Sequence, residues 1–263
     1  TKPNRNMNTT KKLTLLVAVA AFVAGPASAA LTSQLGILDL TANGGINPAT
    51  GFAWEAGDTY RFIFASSTGR DATSSDIADY NTFIQNAANA SGLGLSSVTW
   101  KALASTETVA ANANTGTAGV GGESFWLLNG TSLVADDYAD LYGSVTHSNV
   151  INVSETGGTP FDGGDFTSVW TGSDGAGNIK TNAGGGNPGF LGNTVDPGDG
   201  IPKAHTGLWN FTSGRHWIDR FQVDLTDEKG IYGVSEVLTV VPEPSTTALL
   251  GLGGLALMLR RRK

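Results

Sequence analysis

Apolar residues along this chain come in short bursts, separated by long stretches rich in glycine, serine, threonine and asparagine. Tyr60-Arg61-Phe62-Ile63-Phe64 lies between Gly57-Asp58 and Ser66-Ser67, the aromatic composition and turn-residue borders of a strand. Ile77, Tyr80, Ile84, Ala87 and Ala88 then recur at helical spacing, and Gly92 ends the run. Thr73 and Asp76 have the spacing of a capping box with Asp in place of Glu, and Asp76 and Asp79 suit the positive end of a helix dipole, so the helix is expected to open at Thr73. Residues 98–104 alternate as a strand, and the apolar run 125–128 stops at the turn signal Asn129-Gly130. Weaker patterns predict strands over 35–40 and 150–153 and a short helix or loop over 136–142. Val169-Trp170-Thr171-Gly172-Ser173 leads into a Gly/Asn-rich loop lasting to about residue 200. Two apolar bursts, 208–211 and 217–221, precede a last strand over 231–240. Few strands, one early helix and a long irregular stretch make an α+β pattern rather than a sandwich. The predicted core holds Phe62, Phe64, Ile77, Tyr80, Ile84, Trp100, Trp126 and Trp170.

The two ends follow other rules. Lys11-Lys12 precede an uncharged stretch over 13–24, Gly25-Pro26 breaks it, and Ala27-Ser28-Ala29 supplies small residues at −3 and −1. This is the pattern of a secretory signal peptide, cut after Ala29 by signal peptidase. Met7, just ahead of the basic pair, reads as the translation start, which makes residues 1–6 leader sequence. At the other end Pro242-Glu243-Pro244 introduces fifteen uncharged residues, 245–259, and then Arg260-Arg261-Arg262-Lys263. As a helix, fifteen residues span about 22 Å against the roughly 30 Å hydrocarbon core, and snorkelling arginines shorten the deficit. The basic tail obeys the positive-inside rule. A rigid Pro-Glu-Pro, a short apolar segment and a basic tail resemble the PEP-CTERM sorting signal of envelope and secreted proteins of Gram-negative bacteria. The resemblance implies processing by an exosortase, a short transmembrane segment before processing, and an extracellular polysaccharide matrix as setting. The chain thus divides into a signal peptide with leader (1–29), a secreted domain (30–240) and the sorting signal (241–263).

Removing the ends changes the charge. Over residues 30–241, eight lysines and arginines stand against 22 aspartates and glutamates, a formal balance of −14, whereas the whole chain carries −7. So acidic a domain is a poor ligand for nucleic acid, whose binding draws on phosphate neutralisation. There is no cysteine, so disulfides and thiolate metal sites are excluded. The six tryptophans, Trp54, Trp100, Trp126, Trp170, Trp209 and Trp217, are the natural anchors of a core without cross-links.

Residues able to do chemistry are sparse. His147, His205 and His216 are not at i, i+4 spacing, and neither a His-Glu-x-x-His nor a Gly-x-Ser-x-Gly run occurs. Gly184-Gly185-Gly186 lacks the lysine and the strand-to-helix setting of a phosphate loop. Asp162 with Asp165, and Asp196 with Asp199, put hard oxygen ligands at short spacing on glycine-rich turns, as Ca²⁺ requires; solvated turn aspartates give the same pattern. No catalytic residue, metal ligand or cofactor is assigned.

The order of strand, helix 77–90, strand 98–104, run 125–128 and then Val169-Trp170-Thr171-Gly172-Ser173-Asp174 with Gly177 resembles the C-type-lectin-like fold, nearest its endostatin-type variant. The disulfides usual in that fold are absent. Its calcium-dependent sugar motifs are also unmatched: Asn187-Pro188 lacks the right acidic or amide partners, and Trp209-Asn210-Phe211 has Phe where Asp is needed. The resemblance implies a single lectin-like scaffold without a calcium-held sugar site. Taken together, the expectation is a non-enzymatic exported surface or matrix protein that acts by binding or by structure. The alternative is a secreted hydrolase of glycans or polymers, which would need paired carboxylates in an aromatic cleft.

Overall fold

The computed structural model describes residues 30–143, 146–164, 167–182 and 187–243. Strand β1 (Leu31–Ser33) opens the domain and a small hairpin follows, β2 (Ile46–Asn47) with β3 (Phe52–Ala53). Then come β4 (Thr59–Ala65), α1 (Ile77–Ala90), β5 (Trp100–Ala102), α2 (Ala111–Thr115), β6 (Ser124–Leu127), β7 (Leu133–Ala135) and α3 (Tyr138–Tyr142). Among the described residues of the closing half only strands form: β8 (Ser168–Trp170), β9 (Lys203–Leu208), β10 (Phe221–Asp224), β11 (Gly230–Ser235) and β12 (Leu238–Pro242). Apart from the small hairpin, all strands join one mixed sheet. The domain is therefore mixed α and β, with few helices and a sheet-rich core.

β4 organises that sheet. From Tyr60 onward it is buried on both faces, which explains a run that is almost continuously apolar. Period-two alternation sends Tyr60, Phe62 and Phe64 into one core, with Tyr80, Ile84, Trp100, Trp126 and Trp170. Ile63 and Ala65 enter a second core on the other face, with Phe125, Leu127, Trp217, Tyr232 and Val234. β6 runs parallel along one edge of β4 (Phe62 opposite Trp126). The other edge is shared by β11 (Phe64 opposite Gly233) and β12 (Tyr60 opposite Leu238), both antiparallel. Gly233 lies where helix and sheet press closest: a Cβ there would come 2.5 Å from Phe64 and 2.8 Å from Ile84.

α1 lays Tyr80, Ile84 and Ala88 against the first core, one residue per turn, with Ile77 only partly buried beside them. The expected capping box does not form. Asp76 is itself the N-cap, accepting from the Ala78 N–H at 2.9 Å, while Thr73 turns back to bond Asp71 (2.6 Å from its hydroxyl). A cap at Asp76 leaves Thr73 in the approach to the helix.

Other departures have similarly local causes. No strand forms over 35–40, because the chain turns at Gly36 (φ 68°), whose N–H bonds Ser33. The segment 150–153 is irregular, tied to the sheet by the Ala65 N–H to Val153 carbonyl bond. The single strand expected over 231–240 is two, broken after Ser235. There the Phe62 N–H of β4 goes to the Ser235 hydroxyl and the Ser235 carbonyl accepts from Arg61, so the ladder with β4 lapses before β12 resumes it. Strands are more numerous than the sequence suggested: β9, reading Lys-Ala-His-Thr-Gly-Leu, carries no apolar alternation that would announce it. Five of the six tryptophans are buried, but Trp209 is only partly so. Among the described residues no helix is long and apolar enough to cross a membrane. The predicted signal peptide and the predicted C-terminal membrane segment lie outside the described residues.

Candidate functional site

The sorting signal grows directly out of the sheet. β1 and β12 pair antiparallel, with Leu31 opposite Pro242, Thr32 opposite Val241 and Ser33 opposite Val240. Beyond this ladder the Glu243 N–H donates to the Ala30 carbonyl at 2.7 Å, and at its other end the Gln34 N–H donates to the Thr239 carbonyl at 3.0 Å. The Gln34 side chain closes the same end, accepting from the Thr239 N–H at 3.0 Å. The first residues after the predicted cleavage at Ala29 thus hold the last residues before Pro244.

Pro242 fits this ladder because of its register. Glu243 opposite Ala30 is a hydrogen-bonded pair, so Leu31 opposite Pro242 is a non-bonded one, and the missing proline N–H leaves no acceptor on β1 unsatisfied. Pro242 therefore turns its nitrogen to the side on which Val240 is bonded to Asp58 and Gly57 (2.8 Å each). At Pro242 that edge has run past β4, and a proline there blocks further strand addition. Pro242 and Glu243 are both exposed. Pro244, Ala27 and Ala29 lie outside the described residues.

The acidic turns are closed on themselves. One Asp196 carboxylate oxygen accepts three backbone N–H groups, from Gly198 (2.8 Å), Asp199 (3.1 Å) and Gly200 (2.9 Å). The Asp199 carboxylate pairs with Lys203, whose hydrogen bond holds it below the usual carboxylate range. Asp162 accepts from the Gly164 N–H at 3.1 Å, and its expected partner Asp165 lies outside the described residues. Among the described residues no group of three or more His, Asp or Glu side chains is placed to hold a metal ion.

Each histidine has a structural partner. His147 is buried, which lowers its affinity for a proton, and its Nε2 lies 2.9 Å from the Leu141 carbonyl, so that nitrogen is the protonated one. His216 Nε2 accepts from Arg220 at 3.1 Å. His205 Nδ1 lies 2.8 Å from Asp219, which also takes Lys180 Nζ on both oxygens at 2.9 Å. Burial alone would raise the Asp219 carboxyl; the bonds from His205 and Lys180 outweigh it and hold the group below its ordinary value. This cluster ties the long loop (Lys180) to β9 (His205) and to the turn before β10 (Asp219).

The sequence reading missed a second charged cluster. Arg61, the one charged residue of β4, is 5% exposed, and its Nε lies 3.0 Å from Glu123 and 3.2 Å from the Tyr138 hydroxyl. One terminal nitrogen bonds the carbonyls of Thr115 (3.1 Å) and Ser235 (2.9 Å), and the other bonds that of Gly116 (3.4 Å). Tyr138 also donates to Glu123, and burial pushes its hydroxyl pKa up to about 12. The arginine forms the wall of a cleft of about 360 Å³ between α2 and β11, but its donors are already taken by protein acceptors. A charged residue inside an apolar strand run was the only advance signal for this network.

Residues 240–263 match the family model of the PEP-CTERM protein-sorting motif. The chain therefore carries that motif, which marks an exported protein of the cell envelope or surface, sorted through an exosortase. No curated protein matches the chain.

Proposed function

We propose that the mature domain is a non-enzymatic component of the cell surface or the extracellular polysaccharide matrix, released to that setting by cleavage at both ends. The observation that carries the reading is the continuity of the sorting motif with β12, which brings Pro242 and Glu243 out of the sheet beside Ala30. Both processing points then lie at one pole of the domain, where signal peptidase and an exosortase can act at the same membrane without unfolding it. The commitments of the three histidines and of Asp196, Asp199 and Asp219 favour a structural or binding role over hydrolysis. The domain further reads as a C-type-lectin-like scaffold. In support, the end strands pair with each other, the long helix directly follows β4, and no strand occurs in the described residues between β8 and β9.

Intact-mass analysis of the protein recovered from its producing cells tests the processing. The expected product begins at Ala30 and has lost the segment after the Pro242-Glu243-Pro244 region. Recovery of envelope protein that still carries Arg260 to Lys263 would overturn sorting by cleavage. Release of reducing ends from a glycan panel would instead establish the hydrolase alternative.

A further inference from the structure

A loop closed by the Leu208 N–H to His216 carbonyl bond (2.9 Å) folds over the start of β8 and the start of β10. Between them opens a cleft of about 430 Å³ lined by Thr167, Leu208, Asn210, Phe211, Arg220 and Phe221. That volume falls within the range of about 300–1,000 Å³ usual for small-molecule sites. Its apolar lining includes Phe211, which is 37% exposed although aromatic. The rim is polar. Thr167 donates to Asn210 Oδ1 at 2.6 Å, which leaves the Asn210 amide nitrogen without a partner among the described residues. Thr167 also holds φ 59°, a left-handed conformation costly for a β-branched residue and of a kind that concentrates at ligand sites.

Arg220 decides the chemistry. In a domain with a formal balance of −14, Arg61, Lys180, Lys203 and Lys229 each face a carboxylate. Arg220, like Arg70, Lys101 and Arg215, has no ion pair among the described residues, and of these it is the one that lines the cleft; it spends one donor on His216 Nε2 and is exposed. A guanidinium has five N–H donors in a fork that fits a carboxylate, so most of its capacity is uncommitted. An exposed aromatic ring, a free amide donor, a hydroxyl and a guanidinium with no carboxylate partner together match one ligand class. That class is a sugar ring with an apolar C–H face, ring hydroxyls and a carboxylate.

We propose that this cleft binds a uronic-acid residue of an acidic polysaccharide, independently of calcium. Phe211 stacks on the pyranose face, Asn210 and Thr167 hydrogen-bond ring hydroxyls, and Arg220 takes the carboxylate. The net negative charge of the domain does not prevent this. Fields from distant carboxylates are screened beyond about 8 Å at physiological salt, whereas the arginine acts at contact. The proposal rests on the reading of the domain as a binding component of the matrix.

The test is calorimetric titration of the protein recovered from its producing cells, and of its Arg220→Gln and Phe211→Ala forms. The ligands are an oligogalacturonate, its methyl ester and a neutral oligoglucan. The wild type is expected to bind the oligogalacturonate, and each substitution to weaken binding about tenfold or more. The methyl ester should bind to the wild type as weakly as the acid binds to Arg220→Gln, a carboxylate signature that a folding defect cannot imitate. Uronate binding unchanged in both variants overturns this cleft but leaves a matrix-binding role in place. Silence of the wild type toward all three ligands overturns the proposal, and the processing test of the previous section is unaffected by it. Equal binding of acid and ester removes the role of Arg220 and overturns the uronate assignment.

Discussion

At the scale of single residues, the polar groups that matter most in this domain are those that sequence reasoning passed over. His205 was visible only as an isolated histidine and Asp219 not at all, because their partnership with Lys180 spans a long loop and two strands. Asp219 is only 11% exposed, takes the Lys180 ammonium on both oxygens and lies 2.8 Å from His205 Nδ1, so its removal is costly. Asp219→Asn is expected to destabilise the domain by about 1.5–3 kcal/mol at neutral pH, the range for hydrogen bonds to charged groups. The pH dependence has a definite sign. A carboxyl depressed in the folded state stabilises fully above its unfolded pKa, about 3.9, and that contribution disappears as pH falls through the lower folded value. Chemical denaturation at pH 7, 4 and 3 should therefore show the wild-type advantage over Asp219→Asn shrinking below pH 4. An advantage that persists unchanged at pH 3 would mean that Asp219 acts by packing and not by charge. Arg61 presents the same difficulty for a reader of the sequence. Its position inside an apolar strand was visible, but Glu123, Tyr138 and the carbonyls of Thr115 and Ser235 that neutralise it come from distant elements.

At the scale of elements, legibility followed periodicity. α1 was readable because one residue per turn faces the sheet, and its stop was written in Gly92; only the cap was misplaced, since Thr73 and Asp76 both suit an N-terminus and only local geometry chooses between them. β4 and β6 were readable because strands buried on both faces leave dense apolar runs. β1, β9 and the split between β11 and β12 were not. These strands are short or carry Gly, Thr and His, and partners far along the chain, not their own side chains, define them. The same held for the sorting motif: Pro242-Glu243-Pro244 was plain in sequence, but the Ala30 bond to Glu243 and the pairing of β1 with β12 have no local signature. The element-level prediction concerns the packing of α1 on β5. Ile84 and Trp100 are both 0–1% exposed within one core, and the Trp100 N–H bonds Gln85 of the helix at 2.9 Å. Truncating either to alanine is expected to cost about 2–5 kcal/mol. Because the two sites share a core they should not be independent, so the double variant should depart from the sum of the single ones in urea unfolding. Strict additivity would place helix and strand in separate cooperative units.

At the scale of the whole molecule, the consequence of the fold is that both ends leave from one place. Ala30 and Glu243 form a hydrogen-bonded antiparallel pair, the geometry that closes a two-residue hairpin turn. A chain held in a membrane at its N-terminal end before signal cleavage, and at its C-terminal end afterwards, would therefore present the same pole to that membrane throughout. This predicts a circular permutant. Joining Glu243 to Ala30 through Asn-Gly, the pair preferred by the two-residue turn whose twist matches adjacent strands, should need no rearrangement of β1 or β12. New ends belong in the loop between α2 and β6, where Val120 is 88% exposed and flanked by glycines at positive φ. The permutant should fold, unfold in one cooperative transition, and melt within a few degrees of the wild-type domain. It should do so although the ladder is now closed by a covalent turn and the chain is opened elsewhere. A permutant that fails to fold while a control carrying only an insertion at Val120 folds normally would show that β1 and β12 are not neighbours. The common pole for the two processing events would be lost with them. A permutant more stable than the wild type would indicate that fraying of the terminal ladder limits the stability of the natural domain, since the turn removes that fraying.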